Sequence, residues 1–230
     1  MTHLSLLSPK QSTQKQSGFS LIEMAIVLVI LGFILGGILG PLSTQREVQK
    51  RNEAEQQLKE IREALLGFVQ IKGRLPCPAS LISDGREVVT TGNCSTPTAT
   101  DNIFVPYVDL GIRGSIISGE LVDPWQQPVV YRLTSVSTWA YAKQINLTNN
   151  TAANFQICTI TTCTPATSIL AAGVVVVLFT KGPDLVSTNT ASATDFVSDP
   201  PPQPTITTAY DDRVLWISQP ELIFALSKTR

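Results

Sequence analysis

The chain has 230 residues, and its 17 lysines and arginines against 18 aspartates and glutamates leave a formal net charge of −1. No basic block alternates with aromatic residues, so the electrostatic footprint of a nucleic-acid-binding protein is absent and we expect no nucleic-acid partner. The sequence also lacks the G-x-S-x-G and G-x-x-x-x-G-K-[ST] motifs, which would hold a catalytic serine or a nucleotide phosphate.

An apolar run covers residues 19–40, and Glu23 is its only charged residue. As a helix that rises about 1.5 Å per residue, this run would reach roughly 33 Å, enough to cross the hydrocarbon of a bilayer. An ionisable side chain inside a membrane segment costs a few kcal/mol unless it has a partner. The run therefore predicts a transmembrane helix, and the cost of its one carboxylate predicts a functional role for Glu23.

The residues before the apolar run form a short leader that carries Lys10 and Lys15 and ends at Gly18. Phe19 follows, and Glu23 stands five residues past the glycine. This arrangement resembles the N-terminus of type IV pilins and of type II secretion pseudopilins. The resemblance implies that a prepilin peptidase cleaves between Gly18 and Phe19 on the cytoplasmic side and that Phe19 is then N-methylated.

The same resemblance implies how the chain assembles and what it meets. In the family, the carboxylate at the position of Glu23 is thought to pair with the freed N-terminal ammonium of an adjacent subunit, here that of Phe19. The expected partners are the prepilin peptidase, other pilin or pseudopilin subunits, the inner-membrane assembly platform and the membrane itself. The leader lysines should stay cytoplasmic, so we expect a single-pass protein of the bacterial inner membrane with a periplasmic globular domain.

Two other kinds of N-terminus stay open. A secretory signal peptide has an apolar core of about 7–15 residues, shorter than residues 19–40, although a cut before Pro41 could follow Gly40. An uncleaved anchor could instead tether a periplasmic binding module or hydrolase. Cleavage after Gly18 would remove His3, the only histidine, and with it any Ser–His or Cys–His pair, so we predict that the protein is not an enzyme.

The chain divides into four predicted segments, and its fold class is predicted to be α+β. Apolar residues recur at helical spacing after the membrane run, and β-rich runs separated by polar turns come later. We expect a pilin-like fold in which one long helix packs on an antiparallel meander. The segments are a leader over 1–18, a membrane helix over 19–40, an amphipathic helix over 41–73, and a β-rich domain over 74–230 with a long loop at 182–212. The predicted strands are 129–133, 139–143, 155–159, 171–180 (buried on both faces) and 214–217.

Four cysteines lie in the predicted periplasmic domain, and an even count in an exported domain favours disulfides. Three connectivities can be drawn for four cysteines. We expect Cys77–Cys94 and Cys158–Cys163, because each pair closes a short loop. A zinc site is disfavoured, since the four thiols lack a paired C-x-x-C spacing and the chain after the leader has no histidine.

Residues 123–131 read D-P-W-Q-Q-P-V-V-Y, which is similar to the D-P-W-G-x-P-x-x-Y stretch of the major type II secretion pseudopilins. Gln126 stands where the family has glycine, so the turn need not keep the family's conformation. From the residues alone, Asp123 opens a turn, and Trp125 and Tyr131 fill the core.

A third resemblance concerns calcium. Lys181-Gly182-Pro183-Asp184 together with Asp211-Asp212 is similar to the C-terminal region in which major pseudopilins hold a calcium ion. The resemblance implies Asp184, Asp211 and Asp212 as calcium ligands, and carboxylate oxygens suit this ion. The loop between them is longer than in the family and Leu185 replaces a family glycine, while aspartates in loops are also ordinary turn formers.

We therefore predict a structural subunit of a type II secretion pseudopilus that assembles through its N-terminal helix. Residues 19–230 are long for a major pseudopilin, which favours a minor subunit at the tip. A minor pilin of a type IV pilus is the alternative within the same family, and a membrane-tethered binding module or hydrolase is the alternative from another class.

Overall fold

The structure is a computed structural model with an α+β fold. It describes residues 18–90, 93–94, 103–134, 153–159, 163, 168–183, 189, 194–198 and 212–228, with the backbone alone at 35–44 and 93. The strand predicted over residues 139–143 and most of the loop predicted over 182–212 lie outside these residues. The chain divides into two compact units, Met1–Glu47 and Val48–Arg230.

Helix α1 (Leu21–Lys72) contains both helical segments predicted from the sequence. Its second half buries one apolar stripe at spacings of three and four residues, formed by Ala54, Leu58, Ile61, Leu65, Phe68 and Val69. Val48, which the periodicity places on this stripe, is instead 51% exposed. The helix ends where Gly73 adopts a left-handed φ of 68° and donates its N–H to the Val69 carbonyl at 2.8 Å. Among the residues that the structure describes, no helix combines the length and apolar character that a membrane span requires.

Two short hairpins and one helical turn follow α1. Strand β1 (Val89–Thr90) pairs with β2 (Asn93–Cys94), and β3 (Ile116–Ile117) pairs with β4 (Glu120–Leu121). Helix α2 (Tyr107–Leu110) lies between the two hairpins in sequence.

The main sheet has five strands in the described chain: β5 (Val130–Leu133), β6 (Phe155–Cys158), β7 (Ile169–Thr180), β8 (Asp195–Val197) and β9 (Arg213–Ser218). The order is β5-β7-β6-β8, and β9 also pairs with β7. All pairs are antiparallel except β6 with β8, which is parallel. The predicted antiparallel meander is therefore wrong, because the sheet is mixed and β5 pairs directly with β7.

The length of β7 explains the error, since one long strand serves two short partners placed end to end. Leu133 pairs with Val176, and Phe155 pairs with Val174. Only one position of β7, that of Val175, lies between these two pairs. Thr134 lies opposite that position, and its N–H donates to the Val175 carbonyl at 2.9 Å. Strands β5 and β6 are thus one interrupted strand, and residues 135–154 are an insertion between Thr134 and Phe155.

Hydrophobic cores cover both faces of the sheet. On one face, α1 and helix α3 (Gln219–Ser227) pack on Tyr131, Val176, Leu178 and Ile217. On the other face, Phe196 of β8 packs against Phe155 and Phe179, with ring centroids 5.2 and 6.1 Å apart. Residues 174–180 are buried throughout, so the prediction of a strand buried on both faces is confirmed for this part of β7.

Candidate functional site

The predicted cleavage site lies immediately before α1. Gly18, Phe19 and Ser20 have no regular secondary structure, and a Cβ placed on Gly18 would meet no atom within 4 Å. The first helical hydrogen bonds run from the N–H groups of Glu23 and Met24 to the Ser20 carbonyl, at 3.0 and 3.2 Å. The peptide bond between Gly18 and Phe19 is therefore in an open, non-helical segment.

Glu23 lies in the first turn of α1. A carboxylate there interacts favourably with the partial positive charge of the helix N-terminus. Every described side chain from Phe19 to Ile34 is exposed in the single chain, with Leu21 at 87% and Phe33 at 79%. An apolar surface of this extent marks a site that another protein or a membrane covers, and Glu23 lies within it.

The D-P-W stretch forms a tight turn between β4 and β5. Asp123 is 3% exposed, and its Oδ1 accepts the N–H groups of Trp125 and Gln127 at 2.9 and 2.8 Å. Gln126 has a φ of 67°, the left-handed conformation that favours glycine. The glutamine therefore keeps the backbone conformation that a glycine would take at this position.

Burial raises the pKa of the Asp123 carboxyl, and the hydrogen bonds from Gln127 and Trp125 offset only part of that effect. Its second oxygen, Oδ2, is buried without a hydrogen-bond partner in the described chain. Gln57 of α1 holds the start of this turn, since its Nε2 donates to the Val122 carbonyl at 2.9 Å. Trp125 is only half-buried, so the prediction that it fills the core is wrong, whereas Tyr131 is fully buried.

The structure contains the two disulfides at the pairs that the short loops predicted. Cys77 and Cys94 are joined with their Cα atoms 5.2 Å apart, and Cys158 and Cys163 with theirs 5.5 Å apart. The first bridge closes the segment after α1 and lies beside Tyr131, whose hydroxyl donates to the Pro76 carbonyl at 2.9 Å.

Of the predicted calcium ligands, Asp184 and Asp211 lie outside the described residues. Asp212 is 2% exposed, and its Oδ2 accepts hydrogen bonds from the backbone N–H and the side-chain Nδ2 of Asn189, at 3.4 and 3.0 Å. Asn189 also binds both backbone polar groups of Val197 on β8. In the described chain, no three His, Cys, Asp or Glu side chains form a metal-binding group, and calcium stays a prediction.

Sequence reasoning missed the side chains that join distant elements. Arg74 pairs with Glu87, which lies between the two cysteines of the first disulfide. The Gln57 side chain donates to the Val122 carbonyl at the start of the D-P-W turn. Asn189 links β8 to Asp212. None of these contacts follows a helical or strand period, so no local spacing could have indicated them.

Comparison with known protein families gives one match. Residues 13–39 match the family described as the prokaryotic N-terminal methylation motif. Searches among curated proteins and among solved structures returned no match for this chain. The matched range contains the open segment at Gly18 and Phe19 and the exposed start of α1, so the resemblance that the sequence indicated is confirmed. Residues 13–39 of this chain therefore carry the prepilin-type signature of type IV pilins and pseudopilins, which marks a substrate of a prepilin peptidase.

Proposed function

We propose that this chain is a structural subunit of a type II secretion pseudopilus, placed at its tip as a minor component. Residues 19–40 anchor it in the bacterial inner membrane, and the residues after them lie in the periplasm. The observation that carries the proposal is the exposed apolar start of α1, which holds Glu23 in its first turn directly after the cleavage site.

Cleavage prepares the subunit for assembly in two ways. Cutting after Gly18 removes the charged leader and creates an ammonium group at Phe19, which becomes N-methylated. In apolar surroundings an unpaired carboxylate is costly, so Glu23 is stabilised by the ammonium of Phe19 on an adjacent subunit. Because any other register leaves both charges unpaired, this ion pair fixes the axial position of one subunit against the next.

The D-P-W turn supports a secretion pseudopilin over a pilus pilin. The resemblance to major pseudopilins includes a glycine at the position of Gln126, and the left-handed φ of 67° there suits glycine. Asp123 supports the same turn by accepting two backbone N–H groups. A type IV pilus pilin remains the second candidate, because the N-terminal motif at residues 13–39 is common to both classes.

The proposed role is mechanical and involves no catalysis by this chain. A separate motor spends ATP at the inner-membrane assembly platform, and this subunit is part of the fibre that is extruded. Calcium at Asp184, Asp211 and Asp212 is part of the proposal, and the buried position of Asp212 at the start of β9 is consistent with a structural ion.

The experiment replaces the carboxylate and measures processing and assembly separately. Glu23→Gln and Glu23→Ala variants are expressed in cells that have the secretion platform or the pilus platform, with Glu60→Gln, an exposed acid on the same helix, as the control. We expect normal cleavage of all variants and at least tenfold less incorporation of both Glu23 variants into fibres. Equal incorporation of Glu23→Gln and Glu60→Gln would contradict the ion-pair mechanism, and the platform that supports assembly identifies the system.

A further inference from the structure

Arg132 is a buried cation in the middle of β5. It is 8% exposed, and its pairing partner on β7, Val177, is fully buried. Side chains alternate along a strand, so Arg132 leaves the sheet on the same face as Val130, which belongs to the second core. The guanidinium of Arg132 therefore emerges beside an apolar cluster.

No ion pair or hydrogen bond involves the Arg132 side chain within the described residues, and its Nε is buried without an acceptor. Three other arginines each have a carboxylate partner. Arg74 is paired with Glu87, Arg62 with Glu221, and Arg86 lies 3.9 Å from an Asp109 oxygen. Burial lowers the pKa of Arg132, whereas the carboxylate of Glu87 raises that of Arg74.

An arginine cannot relieve this situation by losing its proton, because the guanidinium stays charged in proteins. A buried charge without a counter-ion costs several kcal/mol, and replacing it with an apolar side chain of similar volume is often neutral or stabilising. Within the described residues, the element that this site lacks is an acceptor oxygen with negative charge.

We propose that Arg132 anchors a binding site for one carboxylate, which another molecule supplies. The planar fork of a guanidinium matches a carboxylate through two parallel hydrogen bonds, which makes this anion the best fit. The carboxylate can come from a neighbouring subunit or from a small anion in solution, and the chemistry at Arg132 is the same in both cases.

Thermal unfolding of the purified full-length chain tests the site, with acetate as the probe. Sodium acetate is compared with sodium chloride at matched ionic strength. We expect acetate to raise the Tm of the wild-type chain in a saturable way, by about 3 °C at ten times its Kd. Arg132→Met should lose this rise and should unfold in chloride at or above the wild-type temperature. Arg86→Met, which removes an exposed guanidinium, should keep the rise.

Three results would overturn the site: no saturable rise in the wild-type chain, the same rise in Arg132→Met, or a drop of Tm by 10 °C or more for Arg132→Met in chloride. The last result would mean that the charge is already compensated within the chain. Arg132→Lys gives a second readout, because it keeps the charge without the fork and should show a weaker rise.

Fibre incorporation separates the two sources of the carboxylate once acetate binding is established. Lower incorporation of Arg132→Met assigns the carboxylate to a neighbouring subunit, and unchanged incorporation assigns it to a free anion. The acetate measurement uses unassembled protein, so its failure would leave the Glu23 ion pair and the proposed pseudopilus role untouched.

Discussion

Arg74 holds the carboxylate of Glu87 with two nitrogens, with Nη1 2.7 Å from Oε2 and Nη2 2.6 Å from Oε1. The same carboxylate accepts the N–H of Cys77 at 3.0 Å, so the pair ties the end of α1 to the first disulfide. Burial alone would raise the pKa of Glu87, but the hydrogen bonds from Arg74 and Cys77 outweigh it, and the pKa lies below its ordinary value of 4.5.

This pKa predicts the stability of the Glu87→Gln variant. A carboxyl with a lowered pKa in the folded state stabilises the protein above its unfolded pKa, and this stabilisation is lost as the pH falls through the folded pKa. At pH 7 we expect Glu87→Gln to lower the free energy of unfolding by about 2 kcal/mol. The difference from wild type should shrink below pH 4.5 in urea unfolding.

Asp123→Asn should change the free energy of unfolding in the opposite direction. The pKa of Asp123 is raised above 3.8, so its charge opposes folding at neutral pH, and this cost is lost as the pH falls through the folded pKa and is gone below 3.8. Asparagine keeps the Oδ1 acceptor, and Asp123→Asn should therefore be more stable than wild type at pH 7 and equal to it at low pH. A difference that is independent of pH for both variants would contradict the electrostatic account.

Gln126 predicts a stabilising substitution. A non-glycine residue in the left-handed region costs about 1 kcal/mol, and glycine avoids this cost. Glycine also makes the unfolded chain more flexible, which offsets part of the gain. We expect Gln126→Gly to raise the free energy of unfolding by up to about 1 kcal/mol in urea titrations. Gln126→Ala retains a Cβ and serves as the control, with no gain expected. If glycine lowered the stability more than alanine does, the turn would not have the conformation described for it.

The sequence predicted the helices and strands that have a regular spacing of apolar residues, and it missed the order in which the strands pair. The stripe from Ala54 to Val69 has helical spacing, so the end of α1 at Lys72 was predictable to within one residue. The pairing of β5 with β7 was not predictable, because local patterns give strands but not their order. The burial of Arg132 was missed for the same reason.

The functional residues divide in a similar way. Gly18, Phe19 and Glu23 lie within a few residues of one another, so their spacing alone indicated the prepilin motif. Arg74 and Glu87 are 13 residues apart and meet only because the chain turns back after α1. Contacts of this kind follow from the fold and not from a motif.

The insertion between β5 and β6 predicts a tolerated deletion. Joining Thr134 directly to Phe155 removes residues 135–154 and leaves one continuous strand in register with β7. We expect this variant to fold, with a single cooperative thermal transition and both disulfides formed. The chain outside the deletion keeps every backbone pair of β7.

A second deletion that is one residue longer is the control for this variant. Joining Leu133 to Phe155 also removes Thr134 and its backbone hydrogen bond to the Val175 carbonyl, so the pairs of Leu133 with Val176 and of Phe155 with Val174 can both be kept only with Val175 unpaired on this side of β7. The lost backbone hydrogen bond should make this variant unfold at a lower temperature than the Thr134–Phe155 fusion. Equal behaviour of the two deletions would mean that β5 and β6 are not one interrupted strand.

Mass spectrometry of the N-terminus tests the central claim, which is that the exposed start of α1 becomes an assembly helix after processing. The chain is isolated from bacterial membranes that contain a prepilin peptidase, with a strain lacking the peptidase as the control. We expect N-methylated Phe19 as the first residue in the first strain and an intact leader in the second. Material that begins at Met1 in both strains, or at a cut near Pro41, would contradict it.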